Sequence, residues 1–104
     1  MATSRKSGEA LRASREAAWV GDAVLGLFAR EWILRAGKGM DAEKFVRMTS
    51  NQFLGNLGNP TEVEARIGRC YQQSGLAAAF EMVERELLPA FLKQEGNRAR
   101  KPRG

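Results

Sequence analysis

Two acids in this chain stand where an acid is costly. In Trp19-Val20-Gly21-Asp22-Ala23-Val24-Leu25 and in Thr61-Glu62-Val63-Glu64-Ala65-Arg66-Ile67-Gly68, Asp22 and Glu64 each fall among apolar residues at helical spacing. An unpaired buried charge is expensive, so carboxylates near an apolar face need a partner. If the two converge from different helices, their oxygens suit a hard cation such as Mg²⁺, which keeps several of its waters. An ion held in this way activates water and stabilises the charge that develops as a phosphodiester is cleaved. Both acids also have plain structural readings. Asp22 follows Gly21 and can cap a helix starting at Ala23, and Glu64 in the first turns of a helix favours its dipole.

The rest of the composition narrows the chemistry. There is no histidine, which removes Ser-His-Asp and Cys-His triads, histidine general bases and most zinc or transition-metal sites. The single cysteine, Cys70, has no partner for an internal disulfide and fits a reducing compartment. What remains is carboxylates, hydroxyls, lysine or arginine, and a carboxylate-bound hard cation.

The 104 residues allow one small domain, and 43% hydrophobic with 28% charged residues is an ordinary globular mix. The net charge of +5 is unevenly placed, since residues 7–97 hold 11 Lys/Arg against 12 Asp/Glu. The surplus lies in Arg5 and Lys6 at one end and in Arg98, Arg100, Lys101 and Arg103 at the other. A near-neutral body with basic ends points to a polyanion partner such as nucleic acid, or else to a solubilising tail. The C-terminal cluster would add affinity without sequence preference and lose it steeply with salt. Arg66 and Arg69, on the helix of Glu64, are candidates to line a phosphate path, or are simply solvated.

Glycines and cap residues divide the chain into the elements that would position these groups. Ser7 caps a first helix over about 8–18, and a second from Trp19 to about Ala36 ends at Gly37 and Gly39. Asp41 caps a helix through about Leu57. Asn59, Pro60 and Glu62 mark the start of a helix over about 61–73, which Ser74-Gly75 ends. A last helix spans about 76–94, with a kink or local end expected at Pro89. No segment alternates as a strand does. The expected fold is all-α, about five helices over residues 8–95 followed by a basic disordered tail over 96–104. The expected apolar faces are Leu11, then Val20, Ala23, Val24, Leu27, Phe28 and Leu34, then Phe45, Met48, Phe53, Leu54 and Leu57, then Val63, Ile67 and Tyr71, and last Leu76, Phe80, Val83, Leu87, Leu88 and Phe91. No stretch approaches the roughly 20 apolar residues of a membrane span, and no signal-peptide core is seen, so a cytoplasmic location is expected. The apolar faces are generous for a small monomer, which favours a homodimer.

Several blocks together resemble the ribonuclease III domain family. The stretch from Trp19 to Leu25 is similar to its signature of an aromatic, an aliphatic, Gly-Asp-Ala and apolar residues. Glu64-Ala65, Ile67-Gly68 and Tyr71 are similar to its second conserved helix. Ser74-Gly75-Leu76, Ala78 and Leu87-Leu88-Pro89 continue the likeness, as does Ser50-Asn51 in the intermediate helix, so it covers about residues 9–92. The resemblance implies an all-helical, dimeric endonuclease that cuts double-stranded RNA with Mg²⁺ or, in its place, Mn²⁺. By matching positions, Asp22 and Glu64 would be catalytic metal ligands, and Trp19 the aromatic that plugs into the partner subunit.

The chain departs from the family's usual four acids. Ala18, four before Asp22, and Thr61, three before Glu64, stand where two of them would be, and Arg15 replaces another acid. Arg15 would contact phosphate or take over part of a cation's role. The compact branch, mini-ribonuclease III, lacks a separate RNA-binding domain and commonly has small or hydroxyl residues at these two positions. The loop before the second motif is also nearly absent here. The alternative is therefore a degenerate domain that binds RNA or a ribosomal particle without cutting.

Overall fold

Between Ala2 and Arg35 the chain has no proline and is rich in Ala, Leu, Arg and Glu, so nothing in it ends a helix. In the computed structural model, which describes residues 2–100 and side chains from Gly8 to Arg100, this stretch is a single helix, α1 (Ala2–Arg35). The expected separation into 8–18 and 19–36 is therefore corrected: Ser7 falls within the helix rather than before it, and Asp22 lies deep inside it rather than at its start. The isolated glycines Gly8, Gly21 and Gly26 each weaken a helix by about 1 kcal/mol relative to alanine, too little to break it. Gly37 does end it, at φ 88°, where its N–H reaches back to Leu34.

α2 (Ala42–Thr49) starts as expected, with the Asp41 carboxylate accepting from the Lys44 N–H at 2.9 Å. The expected single helix through Leu57 is interrupted at Ser50, which turns extended at ψ 153° and caps α3 (Asn51–Gly55) by accepting from the Phe53 N–H at 3.1 Å. Asn59 caps α4 (Pro60–Ser74), its side chain accepting from the Glu62 N–H at 3.1 Å with Pro60 in the first turn. Gly75, at φ 91°, separates α4 from α5 (Leu76–Glu86). The expected break near Pro89 falls at Leu87, and α6 (Leu88–Arg100) follows. α6 continues through Gly96 to Arg100, where a disordered tail was expected; residues 101–104, with Lys101 and Arg103, lie outside the described residues.

The described residues are all-helical, and none of their helices is long and apolar enough to cross a membrane. The core gathers one stripe from every helix: Leu25, Phe28 and Ala29, then Met48, Phe53 and Leu54, Val63 and Ile67, Ala79 and Val83, and Leu87 and Phe91. Phe91 joins α6 to the rest, meeting Trp32 edge-on at 6.0 Å and Phe53 at 5.5 Å between ring centroids. Burying a large apolar side chain of this kind is worth roughly 1.5–3 kcal/mol. Arg47 of α2 adds a two-pronged pair to Glu95 of α6, both contacts at 2.9 Å, and its hydrogen bonds hold the Glu95 carboxyl below the usual carboxylate range.

Six residues of the expected apolar faces are outside the core: Ala23 is exposed, and Leu11, Leu27, Leu34, Tyr71 and Leu76 are 39–53% exposed. They have the right spacing but sit on the flanks of stripes too wide for one layer of partners to cover. The N-terminal part of α1 also projects. A 34-residue helix is about 51 Å long. The radius of gyration is accordingly 15.6 Å, against roughly 13 Å for a compact chain of 100 residues.

Candidate active site

The site is built where α1 crosses α4. Ala17 and Ala18 on α1 and Ala65 on α4 form a small buried cluster of their own, apart from the main core. At its centre are Gly21 and Gly68. A Cβ on Gly21 would overlap the carbonyl oxygen of Glu64 and stand 2.7 Å from its carbonyl carbon and 2.9 Å from the Gly68 nitrogen. A Cβ on Gly68 would likewise overlap the Ala17 carbonyl oxygen and come within 3.0 Å of the Gly21 nitrogen. The two backbones are therefore in direct contact, and only glycine fits at either position.

The residue after Gly21 is Asp22, and the carbonyl it touches belongs to Glu64. The crossing thus brings the two carboxyl groups together across the helix interface. Asp22 is exposed and Glu64 half-buried. Burial, first, and then the hydrogen-bonding and charge of the neighbouring Asp22 push the Glu64 carboxyl up to about 7. Two carboxyls that meet in this way hold a proton, or a cation, between them.

Both open into a shallow recess of about 390 Å³ that Arg15, Ala18, Trp19, Thr49, Asn51 and Thr61 complete. The helical repeat explains the grouping. Ala18 and Trp19 lie three and four residues after Arg15 and four and three before Asp22 on α1, and Thr61 lies three before Glu64 on α4. Thr49 and Asn51 reach the recess because the chain bends at Ser50 between them. Trp19 is 79% exposed at the rim. The donors are all oxygens or amides, the set a hard cation prefers, with two carboxylates and room for water. Among the described residues no group of three or more His, Cys, Asp or Glu gathers anywhere, so Ala18 and Thr61 leave the pair without a third acid. With a value near neutrality, Glu64 is also placed to exchange a proton at ordinary pH.

The other expected contacts lie elsewhere. Arg66 pairs with Glu86 of α5, away from the recess. Arg69 donates to the buried Ser14 hydroxyl at 3.0 Å and approaches Glu62 at 4.0 Å, tying α4 to α1. Arg98 and Arg100 are exposed on α6. Thr49 and Asn51 were not singled out from sequence as site residues, and neither was the structural role of Gly21 and Gly68. A signal for the glycines was present: Ala17 and Gly21 on one helix, and Ala65 and Gly68 on the other, are small residues spaced to lie on one face.

No family model, curated protein or solved structure matches this chain.

Proposed function

We propose that this chain is a compact endoribonuclease of the ribonuclease III type, a cytoplasmic homodimer that hydrolyses double-stranded or structured RNA. The observation that carries the reading is the meeting of Asp22 and Glu64 at the glycine crossing, in an open recess with Arg15 at its edge. The two carboxylates would hold Mg²⁺, or Mn²⁺ in its place. Such an ion lowers the pKa of water and stabilises charge on phosphate oxygens. Asp22 and Glu64 would position it, and Glu64 would give up its proton as it binds. Arg15 would grip a phosphate of the substrate. Trp19, exposed beside the recess, would bury itself against a second copy, and a two-fold dimer would present two recesses, one to each strand.

A second reading is favoured by one observation: Ala18 and Thr61 line the recess where a fuller acid set would need carboxylates. On that reading the domain binds RNA or a ribosomal particle without cutting it.

Cleavage of a long double-stranded RNA by the wild type and by Asp22→Asn, in Mg²⁺ and then Mn²⁺, separates the two. The expected result is metal-dependent cutting that Asp22→Asn loses by at least about a hundredfold, the scale on which enzymes lose rate when a charge-stabilising group is removed. Intact RNA with both proteins, at concentrations where both bind it, would overturn the enzyme reading in favour of the second.

A further inference from the structure

Besides the recess, a groove of about 730 Å³ lies on the other side of the Ser50 bend. Thr49 and Asn51 line the recess, while Ser50 and Gln52 line the groove. The opposite wall is α6. There Ala90, Lys93, Gln94, Asn97 and Arg98 recur at three and four residues, the spacing of a single helix face. On the other helices that spacing carries the apolar core. Here, beside Ala90, it carries two cations and two amides.

The lining has a definite chemistry. Arg47 is neutralised by Glu95, but Lys93 and Arg98 make no ion pair among the described residues. No carboxylate lines the groove. Its floor is Leu57 and Ala90, half-buried over the enclosed Phe53. Unpaired cations select an anion, while amides that both donate and accept suit the edges of bases or ribose hydroxyls, and a half-apolar floor suits a flat ring. The volume lies within the roughly 300–1,000 Å³ of small-molecule sites.

We propose that the groove between the α2–α3 bend and α6 binds an unpaired, single-stranded segment of RNA, with Lys93 and Arg98 on its phosphates and Asn56 and Asn97 on its base or ribose edges. The proposal rests on the reading that the partner is RNA, and not on cleavage. Because groove and recess share the bend at Ser50, an RNA whose duplex ends in a single strand would occupy both. The groove would then select structured RNAs over plain duplex.

The test is fluorescence anisotropy with a labelled single-stranded oligouridine of about eight nucleotides, a length within the roughly 4–16 nucleotides that a single-strand-binding OB fold covers. The wild-type protein should bind it. Lys93→Ala/Arg98→Ala should weaken binding about tenfold and flatten the salt dependence by roughly 0.7 in slope for each cation removed. Asn56→Ala/Asn97→Ala should weaken it about fivefold, the scale of lost hydrogen bonds. Arg35→Ala/Lys38→Ala, which removes exposed cations outside the groove, should bind as the wild type does. The readout is binding and not cleavage, so that failure of the cleavage reading and failure of this one remain distinguishable. The proposal is overturned if the oligouridine does not bind, or if either groove variant binds it like the wild type. It is equally overturned if an oligoglutamate peptide or a duplex of the same length displaces the oligouridine as well as unlabelled single strand does.

Discussion

The Cα of Gly21 rests against the peptide of Glu64, so closely that a single methyl group on Gly21 would overlap the Glu64 carbonyl oxygen. Scaffold and candidate site are therefore one contact. The glycine that lets α1 and α4 touch is the immediate neighbour of Asp22, and the peptide it touches carries the other carboxylate.

Gly21→Ala would accordingly damage both. Alanine is the better helix former, but the clash is with backbone, which has little freedom to yield. We expect a loss of about 3 kcal/mol or more in denaturant unfolding. Gly96→Ala is the contrast, since a Cβ there meets nothing within 4 Å. It should be stabilising by about 0.5 kcal/mol through helix propensity alone. Equal effects from the two substitutions would argue against a backbone crossing.

Glu64 makes stability depend on pH. With its carboxyl raised to about 7, the folded protein keeps a proton that the unfolded chain releases near the ordinary 4.5. Stability is then highest below that ordinary value and declines as pH rises towards 7. In metal-free protein, Glu64→Gln should remove the decline and gain about 1 kcal/mol over wild type above pH 7, a value discounted for the partial exposure of the group. Saturating Mg²⁺ should raise the melting temperature of the wild type at pH 8 and leave Glu64→Gln almost unmoved. Parallel pH profiles for the two proteins would show that the carboxyls do not share a proton.

Trp19 carries the prediction for assembly. At 79% exposure it contributes little to the fold of one copy, so Trp19→Ala should change monomer stability by no more than about 0.5 kcal/mol. Sedimentation should nonetheless find the wild type dimeric and the variant shifted to monomer, as expected for loss of an aromatic anchor at an interface. A wild-type monomer at tens of micromolar, or a variant that stays dimeric, would remove Trp19 from any self-association.

What could be read from the sequence was mostly local. Asp41 and Asn59 cap helices as their types suggest, Gly37 and Gly75 end them, and Pro89 lies in the turn after the break it was expected to cause. These signals act over three or four residues and need no tertiary information. The unbroken α1 was missed because its periodicity was divided at Trp19, where no breaker stands. The bend at Ser50 was missed for the opposite reason, since serine is both a tolerable helix residue and a good cap, and only packing chooses between them. Asp22 and Glu64 stood out because each is an acid among apolar residues, but spacing could not show that they meet. That depends on two glycines on different helices, as the pairing of Arg66 with Glu86 and of Arg69 with Ser14 depends on neighbours distant in the chain.

The same crossing has a consequence for the order in which the chain assembles. Gly21 and Gly68 are connected only through the whole α2–α3 passage, so their contact closes a long loop and gives back nothing until the loop is shut. During synthesis α1 is made first and stays without its partner until α4 emerges. A growing chain therefore has no carboxylate pair, and whatever the pair does begins only when the second glycine arrives.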